Sequence, residues 1–544
     1  MSSSLSRRDL LRAGAALGAL AAAGPALSAC GGGSSSNGNS PQSKKAALPT
    51  YKRFPGLPAP DLPGNADGLL DAYTTYPSKL IDVWAGKTPG DGKPLTGLAQ
   101  LNGAAPPSLD KNVYWQTMNQ RLGSPVQMQL VNAGNDFNTK IATMSAGNDF
   151  PDIMQINSSI PALDRFLEAK MLDLTPYLSG DKVLKYPALA NIPSRYWEAC
   201  VFNGKLFGLP IPRGLLSAWA LYYRSDLVEA AGGEAKVSNF QDLYQLAKAT
   251  TDAKKGIWAF ANSPLDYIRM MLSIPAGWQR VDGKMVNYVE HEHQQQALES
   301  ARKIVADGLV NPDVAAAPPS QWQQWFGGKK AALLGGTYSA WGGLTQQGVP
   351  ADKIGIFNVV GYDGGDAPGW KGGLNNNIAV IPAKNKDRAE TLLKIADFLA
   401  SPFGTSENRL ISTGVEGHNY TVKNGKIEVD QDRVNERSLG LTYLGAPPPV
   451  IASSSDPAYV QGEYKAQQKL AADGTMDLAL TLFSETNSRK SPQLETERQN
   501  MEFDIILGRK PVSAWADFVT KWRTEGGDKI RTELEAAAKT VAGK

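Results

Sequence analysis

Two hydrophobic patterns alternate along the chain from residue 95 onward. Short apolar stretches, typical of buried strands, are separated by stretches in which apolar residues recur every three or four positions, as on one face of a helix. The first pattern predicts strands at 95–101, 126–131 and 152–156, and the second predicts helices at 112–122 and 137–146. Strands that alternate with helices predict βαβ units, so we expect an α/β fold with a mostly parallel sheet and helices on both faces.

The following part of the chain carries longer helical patterns. Between residues 222 and 360 the sequence predicts helices at 240–251, 291–307 and 319–328, which indicates a second lobe. A strand at 375–381 and a helix at 388–400 come next, and 492–542 is again amphipathic helix. Ligands of open α/β sheets bind beyond the carboxyl ends of the strands, so we expect the site at such an edge.

The N-terminus has the pattern of an export signal. Charged residues within 6–11 precede an apolar run at 13–26 that is too short for a membrane-spanning helix, which needs about 20 residues. The paired Arg7 and Arg8 are typical of the twin-arginine route. Residues 27–30, Leu-Ser-Ala-Cys, resemble a bacterial lipobox, whose cysteine takes a diacylglyceryl group. We therefore expect a Tat-type lipoprotein signal peptide at 1–29 and lipidation of Cys30; the alternative is an ordinary secretory signal with an incidental cysteine.

A tether and an arm are predicted between the signal peptide and the α/β region. Residues 30–48 include a Gly/Ser/Asn-rich stretch that cannot bury apolar surface, and a flexible chain of that length reaches about 20 Å. Residues 49–94 are rich in proline and glycine, which indicates an extended arm lying on the folded domain.

Charge and cysteine content exclude several function classes. The 544 residues carry a net charge of +3, and removal of the signal peptide, with Arg7, Arg8 and Arg12 against Asp9, leaves about +1. That balance gives no electrostatic footprint for nucleic acid. With Cys30 acylated, Cys200 is the only other cysteine. We expect no intramolecular disulfide, and we interpret Cys200 as a small buried hydrophobic residue.

Four stretches in consistent order carry a family resemblance. The first is 137–153, a predicted helix that leads through Gly-Asn-Asp-Phe into Pro-Asp-Ile. The others are 203–210 (Asn-Gly-Lys-Leu-Phe-Gly-Leu-Pro) followed by 221–227, then 306–313 (Ala-Asp-Gly-Leu-Val-Asn-Pro-Asp), and 414–421 (Gly-Val-Glu-Gly-His-Asn-Tyr-Thr). Together they resemble the extracellular solute-binding proteins of ABC importers over residues 95–539. The last stretch, with 506–509 and 526–528, is similar to the large-ligand subgroup that includes alginate-oligosaccharide-binding proteins and related lipoproteins.

The resemblance implies a periplasmic-binding-protein-like fold. Two α/β lobes are joined by several chain crossings, and a ligand cleft between them closes on binding. We place the crossings near Ser217, Tyr362 and Gly414, so that 95–217 and 363–414 form lobe 1, and 218–362 and 415–544 form lobe 2 with the C-terminal helices.

The resemblance also implies a binding protein rather than an enzyme. The expected ligand is a carbohydrate, an oligosaccharide by subgroup, delivered to the transmembrane permease subunits of an ABC importer. We expect a monomer, lipid-anchored on the extracytoplasmic face of the cell membrane, with no cofactor, no metal and no nucleic-acid partner.

Sugar sites need aromatic platforms for C–H faces and planar hydrogen-bonding groups for hydroxyls. Several aromatic residues stand at predicted strand ends or loops: Trp115, Trp197, Trp219, Trp278, Tyr338, Trp341 and Trp370. The alternative for each of them is a place in the core. Trp341 is the preferred platform, because 335–343 is predicted to be a strand that leaves into a glycine-rich loop.

Polar candidates lie near the expected crossings. The amides of Asn375, Asn376 and Asn377 precede a strand and face the cleft or form a turn. Arg213 pairs either with a uronate carboxylate or with a structural carboxylate. Glu416 and His418 contact the ligand or pack the hinge.

Two other function classes remain open from sequence. A secreted carbohydrate-active lipoprotein enzyme, a glycoside hydrolase or lyase, needs a pair of positioned carboxyls, which composition alone does not exclude. A surface scaffold or adhesion lipoprotein is the third class. His291 and His293 form the densest histidine cluster, but two residues two positions apart do not share a helix face, so we interpret them as surface residues.

Overall fold

The computed structural model describes residues 41–102, 104–157, 160–346, 348–453, 456–480 and 482–542. The predicted signal peptide, Cys30 and most of the predicted tether lie outside the described residues. In the part that is described, no helix combines the length and the apolar character needed to cross a membrane.

The strands follow one another from the arm to the third chain crossing. In chain order they are Ala72–Tyr73 (β1), Leu95–Leu101 (β2), Val126–Asn132 (β3), Ile153–Ile156 (β4), Val201–Phe202 (β5), Lys205–Leu206 (β6), Gly208–Pro212 (β7), Trp219–Arg224 (β8), Trp258–Phe260 (β9), Trp278–Val281 (β10), Lys284–Asn287 (β11), Ala331–Thr337 (β12), Ile354–Phe357 (β13), Asn375–Val380 (β14), Tyr420–Lys423 (β15), Lys426–Val429 (β16) and Ile451–Ala452 (β17).

Helices fill most of the sequence between the strands and form the C-terminal region. The α-helices are Pro41–Ala47 (α1), Val113–Leu122 (α2), Asn135–Gly147 (α3), Leu163–Lys170 (α4), Thr175–Leu178 (α5), Pro187–Ala190 (α6), Ser194–Trp197 (α7), Ser225–Ala230 (α8), Phe240–Thr250 (α9), Leu265–Met271 (α10), Gln294–Ala306 (α11), Pro319–Gly327 (α12), Ala340–Gln346 (α13), Ala389–Leu399 (α14), Ser406–Thr413 (α15), Pro457–Asp473 (α16), Glu485–Ile506 (α17), Ala514–Trp522 (α18) and Asp528–Ala542 (α19).

The first lobe is built on a five-stranded sheet in the order β3-β2-β4-β14-β7. Strand β2 pairs in parallel with β3 and β4, as the βαβ pattern predicts. Strand β14 is antiparallel to both of its neighbours, β4 and β7. The reason is its direction of entry: β14 returns from the other lobe and starts at the edge where the parallel strands end. The prediction of a mostly parallel sheet therefore holds for only part of this lobe.

The second lobe is built on a four-stranded sheet in the order β13-β8-β12-β9. Strand β8 is antiparallel to β12 and β13, and only β12 and β9 pair in parallel. This sheet is therefore mostly antiparallel, because β8 enters it from the crossing and so runs against its neighbours.

Each sheet has its own hydrophobic core. The first core includes Leu98, Phe137 and Leu393, and the second includes Leu333, Ile268 and Ile505. The α/β fold with two lobes is confirmed. Cys200 is buried in the first core as a free thiol, as predicted, and burial raises the pKa of that thiol.

The crossings differ in part from their predicted positions. The first, predicted near Ser217, corresponds to the segment that contains a 3-10 turn at Gly214–Ser217. Tyr362 belongs to the second lobe, where its ring stacks on Phe240 at 4.6 Å, and the second crossing is completed near Leu374, whose carbonyl accepts the N–H of Arg213 at 2.8 Å.

The third crossing lies well beyond Gly414. Leu439, Leu441 and Leu444 are still part of the first core, and the chain reaches the second lobe through α16, where Leu470 packs with residues of the second sheet. Gly414 has a φ of 103° and ends α15 inside the first lobe. It marks a helix terminus rather than a hinge, and residues 415–444 belong with the first lobe.

The proline-rich arm contacts both sides of the third crossing. On the first lobe, the N–H of Lys52 donates to the carbonyl of Ala190 at 2.8 Å, and Glu407 accepts two backbone N–H groups of the arm. Beyond the crossing, β1 pairs in parallel with β17, and the hydroxyl of Tyr464 donates to the carbonyl of Pro63 at 2.7 Å. The arm is thus a packed part of the domain.

Candidate functional site

The two sheets turn corresponding edges toward the crossings. Strand β7 ends at Pro212 and leads through the first crossing to Trp219, the first residue of β8. In the return direction, β13 ends at Phe357 and leads to Asn375, the first residue of β14. The strand ends joined by the crossings therefore line the region between the lobes, which is where open α/β sheets bind ligands.

A recess of about 500 Å³ lies at this edge of the second sheet, and we call it the cleft recess. Strand β12 ends there, β8 begins there, and Asn262 follows β9 at the same edge. More of its wall is apolar than polar, as is common for small-molecule sites. Residues that line it include Trp219, Asn262, Trp322, Gln323, Thr337 and Gln499.

Two tryptophans form the aromatic part of the cleft recess. The Trp219 ring lies over Gly335, where an added Cβ would come within 2.6 Å of the indole, and it stacks on Tyr267 with ring centroids 6.2 Å apart. The Trp219 ring can occupy this position because Gly335 has no side chain. The indole N–H of Trp322 is buried and has no hydrogen-bond partner among the described residues. A bound acceptor such as a hydroxyl oxygen can satisfy it.

At the floor of the cleft recess, the side-chain amide of Asn262 bonds the backbone of Gly335. Asn262 donates to the carbonyl of Gly335 at 2.9 Å and accepts the N–H of the same residue at 2.8 Å. This pair of bonds continues the sheet where β9 has ended and keeps the strand edge rigid. The hydroxyls of Thr337 and Ser339 bond each other at 2.8 Å beside it.

A cluster of charged side chains closes the far wall. This ion cluster consists of Asp266, Arg269, Glu495, Arg498 and Glu502. Arg269 donates to Asp266 at 2.9 Å and also binds Glu502, while Arg498 donates to Glu495 at 2.8 Å and also binds Glu502. Arg269, Arg498 and Glu502 are almost fully buried. Each guanidinium is therefore shared between two carboxylates.

The ion cluster also sets the ionisation of its surroundings. Burial acts to raise the pKa of Glu495, but hydrogen bonds from Arg498 outweigh it and hold that pKa below its usual value. Both guanidiniums lie over the ring of Tyr288, at 5.3 and 5.5 Å from its centroid. Burial raises the pKa of the Tyr288 phenol, which stays neutral.

A second recess of about 440 Å³ lies on the other side of the ion cluster. We call it the aromatic recess, because Trp278, Tyr288, Trp370 and Trp522 line it together with Asp266, Arg269 and Arg498. The rings of Trp278 and Trp522 are 5.8 Å apart. The indole of Trp370 donates to the carbonyl of Ile274 at 2.9 Å. The ion cluster is thus the shared wall of two adjoining recesses.

The matching edge of the first sheet carries asparagines. Asn102 follows β2 and donates to the hydroxyl of Tyr443 at 2.6 Å. Asn375 donates to the carbonyl of Tyr196 at 2.7 Å, and its own carbonyl oxygen is buried without a partner among the described residues. This edge supplies amides rather than charges.

Contacts between the lobes close one side of the cleft. Just before α4 of the first lobe, the N–H of Ala162 donates to the carbonyl of Ser488 in α17 at 2.9 Å. Arg165 pairs with Glu485 at 3.0 Å, and both side chains are largely exposed. Helix α17 therefore touches the first lobe with its first turn and lines both recesses farther along.

The structure separates the predicted aromatic residues into two groups. Trp219 lines the cleft recess, and Trp278 and Trp370 line the aromatic recess. Tyr338 and Trp341 are buried in a core cluster, and Trp197 is wholly buried in the first core. Trp115 is half-buried on α2, where its indole donates to the carbonyl of Val126 at 3.1 Å.

The interpretation of Trp341 is corrected by its surroundings. The predicted glycine-rich loop is wrong, because β12 is followed by helix α13, which contains Trp341. The ring is only 5% exposed and packs against Tyr459 at 4.7 Å and Tyr222 at 6.0 Å. Trp341 is a core residue.

The polar candidates have mixed surroundings. Asn377 is half-buried within β14, next to a register shift, and Asn376 is exposed. Arg213 is half-buried at the first crossing, and its guanidinium forms no hydrogen bond or ion pair with the described residues. His418 bonds the buried Glu436 at 2.9 Å within the first lobe, and Glu416 is exposed and accepts from Tyr420 at 3.5 Å.

Sequence reasoning did not single out Trp322, Tyr288, Trp522 or the ion cluster. A partial signal exists, since Glu495, Arg498 and Glu502 are spaced three and four apart on a predicted helix, and Trp322 lies in a predicted helix. Arg269 carries no such signal. Within the described residues, no three His, Cys, Asp or Glu side chains group as a metal site.

Comparison with known proteins identifies the family. The model of the bacterial extracellular solute-binding proteins matches residues 107–404, more than half of the chain. The chain belongs to this family. The resemblance inferred from the four stretches is thereby confirmed, and the two-lobed fold agrees with it.

Relatives support the same assignment. The lipoprotein LipO of Bacillus subtilis is 20% identical over 458 residues, which cover 78% of this chain and 88% of the relative. The polygalacturonan/rhamnogalacturonan-binding protein YtcQ of the same organism is 23% identical over 424 residues, covering 73% and 82% of the two chains.

Solved structures share the fold. The N-glycan transport solute binding protein NgtS of Streptococcus pneumoniae superposes with a TM-score of 0.62 at 16% identity, over 83% of this chain and all of that one. The alginate-binding protein AlgQ2 superposes with a TM-score of 0.58 at 17% identity, over 84% and 99% of the two chains.

Proposed function

We propose that this protein is the lipid-anchored binding component of an ABC importer and that it captures a carbohydrate, an oligosaccharide, between its lobes. The observation that carries the proposal is the cleft recess, where Trp219 stands at the strand edge of a solute-binding fold and Trp322 of α12, whose indole N–H has no partner among the described residues, lines the wall.

The chemistry of the recess supports a sugar. Indole rings offer flat apolar faces to the C–H groups of pyranose rings, and buried donors without partners favour ligands that bring acceptor oxygens. In the aromatic recess next to it, the half-buried Trp370 is the more accessible indole, because Trp278 and Trp522 are almost fully buried in the second core. The relatives YtcQ, a polygalacturonan/rhamnogalacturonan-binding protein, and NgtS, an N-glycan transport solute binding protein, support the same ligand class.

Capture by closure follows from the position of the recess. A ligand that contacts both strand edges stabilises the closed state through its additional contacts. The contacts that residues 162 and 165 make with α17 support this proposal, because they link the two lobes at one side of the cleft. We propose that permease subunits recognise the closed form.

Anchoring is proposed from the N-terminal sequence. Leu27, Ser28, Ala29 and Cys30 form the lipobox pattern, and LipO is a relative that is a lipoprotein. A diacylglyceryl group supplies two chains, where one alone gives only marginal membrane binding. Labelling with a fatty acid should mark the wild-type protein and not a Cys30→Ser variant; equal labelling of both would contradict the anchor.

The ligand class is tested on the exported chain with Cys30→Ser. We expect a saturable change in tryptophan fluorescence with at least one member of a broad oligosaccharide panel, without release of shorter products. Steady product release would instead indicate a carbohydrate-active enzyme. A peptide or small metabolite that raises the melting temperature while every oligosaccharide fails would overturn the proposal.

A further inference from the structure

We propose that the two recesses select neutral saccharides and reject uronates. This inference rests on the proposed function, because it takes the ligand to be a carbohydrate. It addresses the charge of the ligand, which the family and the fold leave open.

The charges in the wall of the cleft recess balance one another. Its wall contains two guanidiniums, Arg269 and Arg498, and two carboxylates, Asp266 and Glu502. The guanidiniums are 3% and 10% exposed, and both already bind Glu502. The recess is therefore neutral as a whole, and its cations are occupied.

The aromatic recess is no better suited to an anion. It shares Arg269 and Arg498 with the cleft recess and adds the carboxyls of Asp477 and Glu495. Asp477 accepts the backbone N–H groups of Trp278 and Ala479, at 2.8 and 2.9 Å. In this recess carboxyl groups outnumber guanidiniums.

A uronate must therefore displace a carboxylate in order to reach a cation. Displacement would leave Glu502 buried without its partner, and removal of one partner from a buried ion pair is strongly unfavourable. Without displacement, the uronate would lie beside like charges in a poorly solvated space. Both arrangements disfavour an acidic ligand.

The remaining polar groups suit a neutral ligand. The buried N–H of Trp322 is an uncharged donor, and the first-sheet edge presents Asn102 and Asn375. Hydroxyl groups satisfy such amides and indoles without bringing a charge. Arg213 is the one candidate cation raised by the sequence, and it does not line either recess.

The test compares saccharides that differ only in charge. Pairs of equal length and linkage are titrated by calorimetry: oligogalacturonides with and without methyl esters, cello-oligosaccharides with their C6-oxidised forms, and manno-oligosaccharides with mannuronate oligomers. We expect the tightest ligand to be neutral, its acidic partner to bind at least about ten-fold more weakly, which is about 1.4 kcal/mol, and the neutral affinity to be insensitive to salt.

The opposite preferences overturn the inference. A uronate as the tightest ligand, or members of the best pair that bind within three-fold of each other, would show that the recess accepts charge. Absence of binding across the whole panel is a different result, because it overturns the proposed carbohydrate function itself.

Variants provide an independent readout. Glu495→Gln removes one negative charge beside Arg498. We therefore expect it to lower the ratio of the affinity for the neutral member of the best pair to the affinity for its acidic member. Unchanged selectivity in this variant, with its fold intact by circular dichroism, would contradict the role of the ion cluster.

Discussion

Two buried carboxylates, one in each lobe, have different partners. In the first lobe, Asp397 accepts the N–H groups of Ala188 and Leu189 at 2.8 and 3.0 Å. In the second lobe, the guanidiniums of Arg269 and Arg498 face Glu502.

The partners of a buried carboxylate determine the direction in which its pKa shifts. Burial raises the pKa of Asp397 to about 7, even though two backbone donors favour its charged form. In the second lobe, burial also opposes charge on Glu495, but Arg498 keeps the pKa of that carboxyl below its usual value. A full positive charge offsets desolvation where two peptide dipoles do not.

Asp397 is an internal contact of the first lobe, whereas Glu502 and its arginines form a wall between two recesses. On the proposed function, the second lobe therefore carries the ligand specificity and the first lobe closes on the ligand.

The largest expected effect comes from breaking the ion cluster. Glu502→Gln leaves Arg269 and Arg498 buried without their shared partner, so we expect the free energy of unfolding to fall by about 3–5 kcal/mol. Denaturant titration measures this change. Glu497→Gln on the same helix is the matched control: its pair with the largely exposed Lys521 is expected to contribute less than about 1 kcal/mol. Equal losses in the two variants would contradict the stabilising role of the buried ion cluster.

The next effect is a pH dependence that originates at Asp397. Since the folded pKa of Asp397 is about 7 and the unfolded value is about 4, the folded protein holds the proton more tightly. Stability therefore falls as pH rises through that window and stays low above it. Asp397→Asn keeps an acceptor for both N–H groups and does not ionise.

The Asn variant should exceed the wild type by about 4 kcal/mol at pH 8 and match it below pH about 4. Thermal unfolding across pH measures both limits. Glu495→Gln should show the opposite sign, because the pKa of Glu495 is lowered and its charged form stabilises the fold above the unfolded pKa. If stability changed with pH in the same direction in both variants, Asp397 and Glu495 would not differ in ionisation as described.

A smaller effect is expected on ligand affinity. Trp219→Ala removes an indole from the cleft recess, and we expect affinity for the best panel saccharide to fall about 30-fold, or about 2 kcal/mol. Trp115→Ala is the control, because this half-buried tryptophan packs on the first core. It should lower stability and leave affinity unchanged. Equal losses of affinity in the two variants would mean that the ligand does not bind in the cleft recess.

The smallest effect concerns the contact between the lobes. Glu485→Gln removes the exposed pair with Arg165, so we expect at most about three-fold weaker binding at low salt and no difference at high salt. Glu428→Gln is the control, since its partner Lys423 lies in the same hairpin of the first lobe. A loss with Glu428→Gln would indicate a general effect of charge.

Local patterns predicted most elements closely. The strand expected at 95–101 is observed at Leu95–Leu101, and the helix expected at 112–122 is Val113–Leu122, with Asn112 accepting the N–H of Trp115 as its cap. Such elements depend on periodicity and capping within a few residues. The loop expected around Trp341 failed because packing against Tyr222 and Tyr459 favours a helix there.

The site was only partly predictable. Trp219 stands at a strand start and was recognisable from its position, whereas Tyr338 and Trp341 looked equivalent in sequence and are buried in the core. Which face of an element meets the core depends on residues that sequence reasoning does not bring together.

The sequence by itself determined the export and lipobox pattern, the α/β elements and the family, because each of these depends on short stretches of residues. Tertiary structure alone decided the direction of β14, the true third crossing and the pairing of Arg269 with Glu502, which lie 233 positions apart. Pairing of buried charges depends on distance in space, and only the folded chain sets that distance.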